Sequence, residues 1–99
     1  MYSSIILPLA QEDIREAAKW YNAKKKGLGR RFTTHVRKKI KQLEKHPQIA
    51  PVRYDNVRTA VLDVYPFMVH YRVDDDKQVI IISAVYHTSK NPINWGKRP

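Results

Sequence analysis

Apolar positions recur with two different periods along this chain, and the changes of period mark its elements. Residues 4–7, Ser-Ile-Ile-Leu, are a short apolar run closed by Pro8, which cannot donate to a strand ladder, so a first strand is expected there. Ala10, Ile14, Ala17 and Tyr21 then follow the i, i+4, i+7 spacing of one helix face. Glu12 and Asp13 fall near the expected positive end of that helix and Lys24-Lys25-Lys26 at its negative end, with Gly27 or Gly29 as the stop. A second helix is expected over residues 30–46, because Phe32, Val36, Ile40 and Leu43 lie within an arc of about 80° at 100° per residue. Pro47 ends it, and the short Gly27-Leu28-Gly29 link makes the pair an antiparallel hairpin.

Beyond Pro51 the period falls to two. Residues 57–65 are expected as a strand with weak alternation. Residues 66–73 follow, placing Phe67, Val69, Tyr71 and Val73 on one face and Met68, His70 and Arg72 on the other. Asp74-Asp75-Asp76-Lys77 supplies a hairpin turn, and residues 79–86, apolar on both faces, are expected in the middle of the sheet. The order strand, helix, helix, strand, strand, strand predicts an α+β fold, in which the helical hairpin covers one face of a mainly antiparallel sheet of about four strands.

Composition bounds what such a fold can do. Ninety-nine residues make one domain, 1–99, burying about 65% of the surface its unfolded chain exposes. Nineteen Lys and Arg against nine Asp and Glu leave +10, a balance suited to nucleic acid, an anionic membrane or an acidic protein. No cysteine is present and the four histidines lack ligand spacing, so neither a structural metal nor any cofactor is expected. The N-terminus has no basic segment before its apolar run, and no run approaches the roughly 20 residues of a membrane span, so a cytoplasmic protein is expected.

Two sets of cations stand out. Arg30, Arg31, Arg37, Lys38, Lys41 and Lys45 occupy a contiguous arc of about 120° opposite the apolar stripe of the second helix, with no acid among them. A solvated face is the ordinary role of such a run, yet six cations exceed what solubility requires, and an anionic macromolecule would satisfy them. Lys39 lies near the stripe, so it must snorkel or sit where the sheet ends. The second set is Arg58, Arg72 and His87 on three neighbouring strands, with Lys90 in the tail. Metal-free cleavage of RNA needs an acid and a base around the phosphodiester and cations to hold its charge; an imidazole and two guanidinium forks are suited to those tasks. The competing reading places these groups in solvent at strand ends. His70 is a weaker site candidate, His35 and His46 read as helix-surface residues, and Trp20 and Trp95 as packing residues.

The chain resembles the RelE/ParE family of toxins from bacterial type II toxin-antitoxin modules over nearly its whole length. The resemblance is carried by Ala10-Gln11-Glu12-Asp13-Ile14-Arg15-Glu16-Ala17 with Trp20-Tyr21, by Leu28-Gly29 and Phe32, by Leu43 and Pro47, and by Val57-Arg58. It continues through Tyr65-Pro66-Phe67-Met68-Val69-His70-Tyr71-Arg72-Val73 and ends on Ala84-Val85-Tyr86-His87 with Pro92, Trp95 and Arg98. The resemblance implies a growth-inhibiting toxin neutralised by a cognate antitoxin in a hetero-oligomer. Tyr65-Pro66-Phe67 and the His87, Lys90, Pro92, Trp95 ending are more similar to the ParE branch, whose members inhibit DNA gyrase. The RelE branch instead cleaves messenger RNA on the ribosome, and His87, with Arg58 and Arg72, stands where its histidine-bearing members carry their acid-base residue. A nucleic-acid-binding relative without toxicity is the third reading.

Overall fold

The computed structural model describes residues 1–98. Strand β1 (Ser3–Ile6) leads into helix α1 (Pro8–Lys24), then α2 (Leu28–Lys45), β2 (Val52–Tyr54), β3 (Val57–Val61), β4 (Phe67–Asp74) and β5 (Val79–His87), and a short 3-10 helix (Pro92–Lys97) follows. The five strands form one sheet in the order β1-β5-β4-β3-β2. Only β1 and β5 run parallel; the remaining neighbours are antiparallel. The α+β class and the helical hairpin are as expected from the residues, with one more strand.

The hairpin is held by its two glycines in different ways. Gly27 adopts φ 93°, a left-handed backbone that glycine takes without Cβ strain, and it turns the chain between the helices. It has no side chain to cap α2. Asn22 of α1 substitutes, its Oδ1 accepting from the amides of Gly27 (3.1 Å) and Gly29 (3.0 Å). Gly29 is a packing position, because a Cβ there would lie 2.4 Å from the Ala18 carbonyl oxygen.

The stripe Phe32, Val36, Ile40 and Leu43 is buried against the sheet together with Ala10, Val69, Tyr71, Ile80, Ile82 and Val85. Phe67 and Val73 pack on the same side, as the alternation of β4 predicts. The Tyr71 hydroxyl crosses this core to donate to the Pro47 carbonyl (2.7 Å), satisfying the loop that follows α2. A second, smaller cluster lies on the opposite face of the sheet, where Met68, Ala84, Tyr86 and Trp95 pack with Tyr54 beneath the 3-10 helix.

Several expectations are corrected. The third strand stops at Val61 and not at residue 65, because Leu62 N–H donates to Phe67 O and Phe67 N–H to Tyr65 O, which folds residues 62–67 into a turn. Helix α1 starts at Pro8, so Glu12 and Asp13 lie beyond its first turn and do not serve its dipole. Trp20 is 57% exposed, edge-on to Tyr21 with the Lys24 ammonium 4.9 Å above its ring, while Trp95 packs as expected.

Candidate macromolecule-binding site

All six cations of the α2 arc, Arg30, Arg31, Arg37, Lys38, Lys41 and Lys45, are exposed. Among the described residues none of the six forms a salt bridge. The stripe-and-arc geometry of one helix accounts for this, since burying Phe32, Val36, Ile40 and Leu43 turns the arc outward. Lys39 lies at the boundary, and its ammonium reaches Asp63 (3.6 Å) in the β3–β4 turn and Gln42 (3.0 Å), at the end of the sheet.

Arg58, Arg72 and His87 are not brought together. Arg58 pairs with Tyr71 and His87 with Phe67, so both face the helices, but they flank β4 four residues apart along it, about 13 Å. Arg72 pairs with Ile81 and faces the other way. Each already has a local partner. Arg58 donates to the carbonyls of Ala50 (2.6 Å) and Gln48 (3.3 Å), pinning the loop after α2. Arg72 donates to the Asp55 carbonyl (3.3 Å), and His87 Nδ1 receives the Ser89 amide (3.0 Å) while its ring packs edge-on to Phe67. Lys90 projects over the Tyr86 ring (4.6 Å) on the face away from the helices. His46 is exposed at the end of α2, and His35 lies half-buried against Tyr65.

The residues that do converge surround His70, the weaker candidate of the sequence. On the outer face of the sheet, His70 is fully buried between Tyr86, Trp95 and Tyr54, with ring centroids 4.9, 4.9 and 5.7 Å away. Tyr54 Oη lies 2.9 Å from its Nδ1. Burial, and then the nearby Arg53 and Arg98, push His70 down to about 4, against a smaller opposing pull from Asp13. The ring is therefore neutral at pH 7. Its Nε2 and the Trp95 Nε1 are buried without a hydrogen-bond partner. Arg53 stacks over Trp95 (5.5 Å) and Arg98 over Tyr86 (4.9 Å), giving this face alternating rings and cations.

Arg98 also holds the sheet edge. Strand β1 leaves β5 after Leu7 donates to Ile82 O, which exposes the edge of β5 at Ser83 and Val85. Arg98 donates to Ser83 O, the Val85 amide donates to Asp13, and Arg98 grips both oxygens of Asp13. One carboxylate from α1 thereby replaces the missing strand and ties down the C-terminal segment. The hydrogen bonds that Arg98 donates to Asp13 hold its guanidinium above its ordinary pKa. No local pattern of the sequence signals this pairing, because Asp13 and Arg98 lie 85 residues apart.

Among the described residues no group of His, Cys, Asp and Glu could hold a metal ion, and no helix is long and apolar enough to cross a membrane.

Known structures share this architecture. A chain of the chromosomal ParDE system from P. aeruginosa superposes with a TM-score of 0.64 at 20% identity, covering 88% of this chain and 96% of that one. The intact E. coli RelBE toxin-antitoxin complex gives 0.68 at 19% identity, with the same 88% and 96% coverage. The isolated E. coli RelE toxin gives 0.67 at 17% identity over 94% of this chain and 90% of its own. At these identities the likeness establishes the fold. No curated protein sequence matches the chain. Residues 5–92 match the family described as the ParE toxin of the type II toxin-antitoxin system, parDE. With 88% of its fold superposed on toxin chains and nearly its whole length matching the family's sequence pattern, the chain belongs to the ParE toxin family of type II toxin-antitoxin systems.

Proposed function

We propose that this toxin arrests growth in the cytoplasm by binding DNA gyrase, and that a cognate antitoxin neutralises it. The observation that carries the proposal is the α2 arc, six exposed cations with no internal partner among the described residues. Such a face offers a rigid row of charge to an enzyme that holds DNA, or to an acidic partner. The dispersal of Arg58, Arg72 and His87 over two faces, each already bonded locally, supports binding over ribonuclease chemistry, because acid, base and phosphate clamp must surround one phosphate.

Expression of the chain in bacteria tests this. Filamentation with an induced DNA-damage response, and inhibition of supercoiling by the purified chain, are expected. Replacing His87→Ala should leave both intact. Loss of intact messenger RNA with arrested translation, abolished by the same substitution, would instead establish the ribosome-dependent endoribonuclease, and undisturbed growth would leave a non-toxic nucleic-acid-binding protein. Antitoxin binding should weaken as salt rises, since exposed charge pairs are screened over about 8–10 Å at physiological ionic strength.

A further inference from the structure

A recess runs beside α2, along the border of the arc, whose Lys38 and Lys45 stand at its two ends. Its centre is a cavity of about 330 Å³ between α2 and the free side of β3, with Leu43, Ile49, Ala50, Pro51, Ala60 and Val61 among its lining. At one end it shares Lys39 and Gln42 with a smaller cavity of about 110 Å³ bounded by His35, Lys38 and Asp63. At the other it shares Ile49 with an open hollow beside Lys45 and Gln48. The channel therefore follows α2 from His35 to Lys45, ten residues or about 15 Å, the span of about five residues of extended chain.

Three properties of the channel define what would fill it. Its floor is apolar yet wet, with Ile49 57% and Val61 55% exposed, and the adjoining Val52 51% exposed, in a chain carrying +10. Its rim is basic, with Lys38 and Lys45 exposed, and Asp63, the acid in its lining, already paired with Lys39. Its inner wall is an open sheet edge. Leu62 N–H donates inward to Phe67 O, whereas Thr59 N–H donates outward to Pro51 O, so alternate amides of β3 point away from β4. Strand β2 pairs no further than this. The next outward amide, Val61, has no hydrogen-bond partner among the described residues.

We propose that this channel docks an extended acidic segment of the antitoxin, which pairs its backbone with the free edge of β3 at Val61 and seats apolar side chains on Ile49 and Val61. The inference rests on the toxin-antitoxin reading above and deepens it by naming the surface and the conformation of the partner. The free amide calls for a backbone carbonyl, which an extended strand presents and a helix does not. The basic rim selects acidic residues flanking the apolar ones, and the net charge opposes a second copy of this chain as occupant.

The test uses the full chain, free and co-expressed with the product of the adjoining reading frame. Amide hydrogen exchange at Val61 should slow at least about tenfold in the complex, and Ile49→Asp should weaken the complex at least about tenfold. Ile93→Asp, at a 76% exposed site on the 3-10 helix, should leave affinity unchanged. Rescue of growth by the partner with Val61 still exchanging freely would overturn the channel and keep the toxin reading. Slowed exchange at Val61 in a chain that never arrests growth would keep the channel and overturn the toxin reading. Protection of Val61 by short single-stranded DNA alone, or by raising the concentration of the free chain, would assign the channel to nucleic acid or to self-association and overturn the proposal.

Discussion

His70 should make the fold lose stability in mild acid, and the size of the loss follows from its surroundings. The ring is fully buried under Trp95, and in the folded chain it resists protonation until about pH 4. An unfolded chain takes up that proton near pH 6.5. Between these values the unfolded state binds more protons than the folded one, so stability falls as pH falls from about 6.5 to about 4. At about 1.36 kcal/mol per unit the full window is worth about 3 kcal/mol, a large share of the stability of a domain this size. Urea unfolding from pH 7 to pH 4, for the natural chain and for His70→Phe, isolates this contribution, since carboxylates and the other histidines titrate alike in both. The natural chain should lose about 3 kcal/mol more than the variant across that window. Parallel profiles, or a His70 ring that NMR finds titrating near pH 6.5, would refute the reasoning.

Other substitutions probe separate parts of the structure. Asp13→Ala strands both Arg98 and the Val85 amide and should cost about 3 kcal/mol in chemical unfolding, while Arg98→Ala, which leaves Asp13 on Val85, should cost less. Gly29→Ala forces a Cβ against the Ala18 carbonyl and should lower the melting temperature more than Gly27→Ala, where open space leaves only backbone strain of about 1 kcal/mol. Reversing Arg37→Glu and Lys41→Glu together on the exposed arc should abolish growth arrest while shifting unfolding by no more than about 1 kcal/mol; full toxicity in that variant would remove α2 as the target-binding face.

Sequence periodicity made the helices and the core legible because both depend on neighbours a few residues away. Phe32, Val36, Ile40 and Leu43 declare their face through spacing alone, as do Phe67, Val69, Tyr71 and Val73. Strand β2 was invisible because three residues cannot display a period. Strict alternation also failed in β5, where His70 pairs with Ala84 and Tyr71 with Ile82, so Ser83 is an extra residue. The surroundings of His70 and Asp13 were illegible for a common reason. Their partners, Trp95 and Arg98, come from the C-terminal segment, and no local pattern shows that this segment folds back over the sheet. The expected meeting of Arg58, Arg72 and His87 failed on strand register, which side-chain type does not encode.

Strand β1 has no stable place until the far end of the chain exists, since Ser3–Ile6 lies along Val79–Ile82 with more than seventy residues between them. On the ribosome, Ser3–Ile6 must wait until Val79–Ile82 has been made before their ladder can close. A polypeptide released early would carry Ile5 and Ile6 unpaired and the hairpin without its central strand. Truncation before β5 therefore removes the one strand that joins β1 to the rest of the sheet.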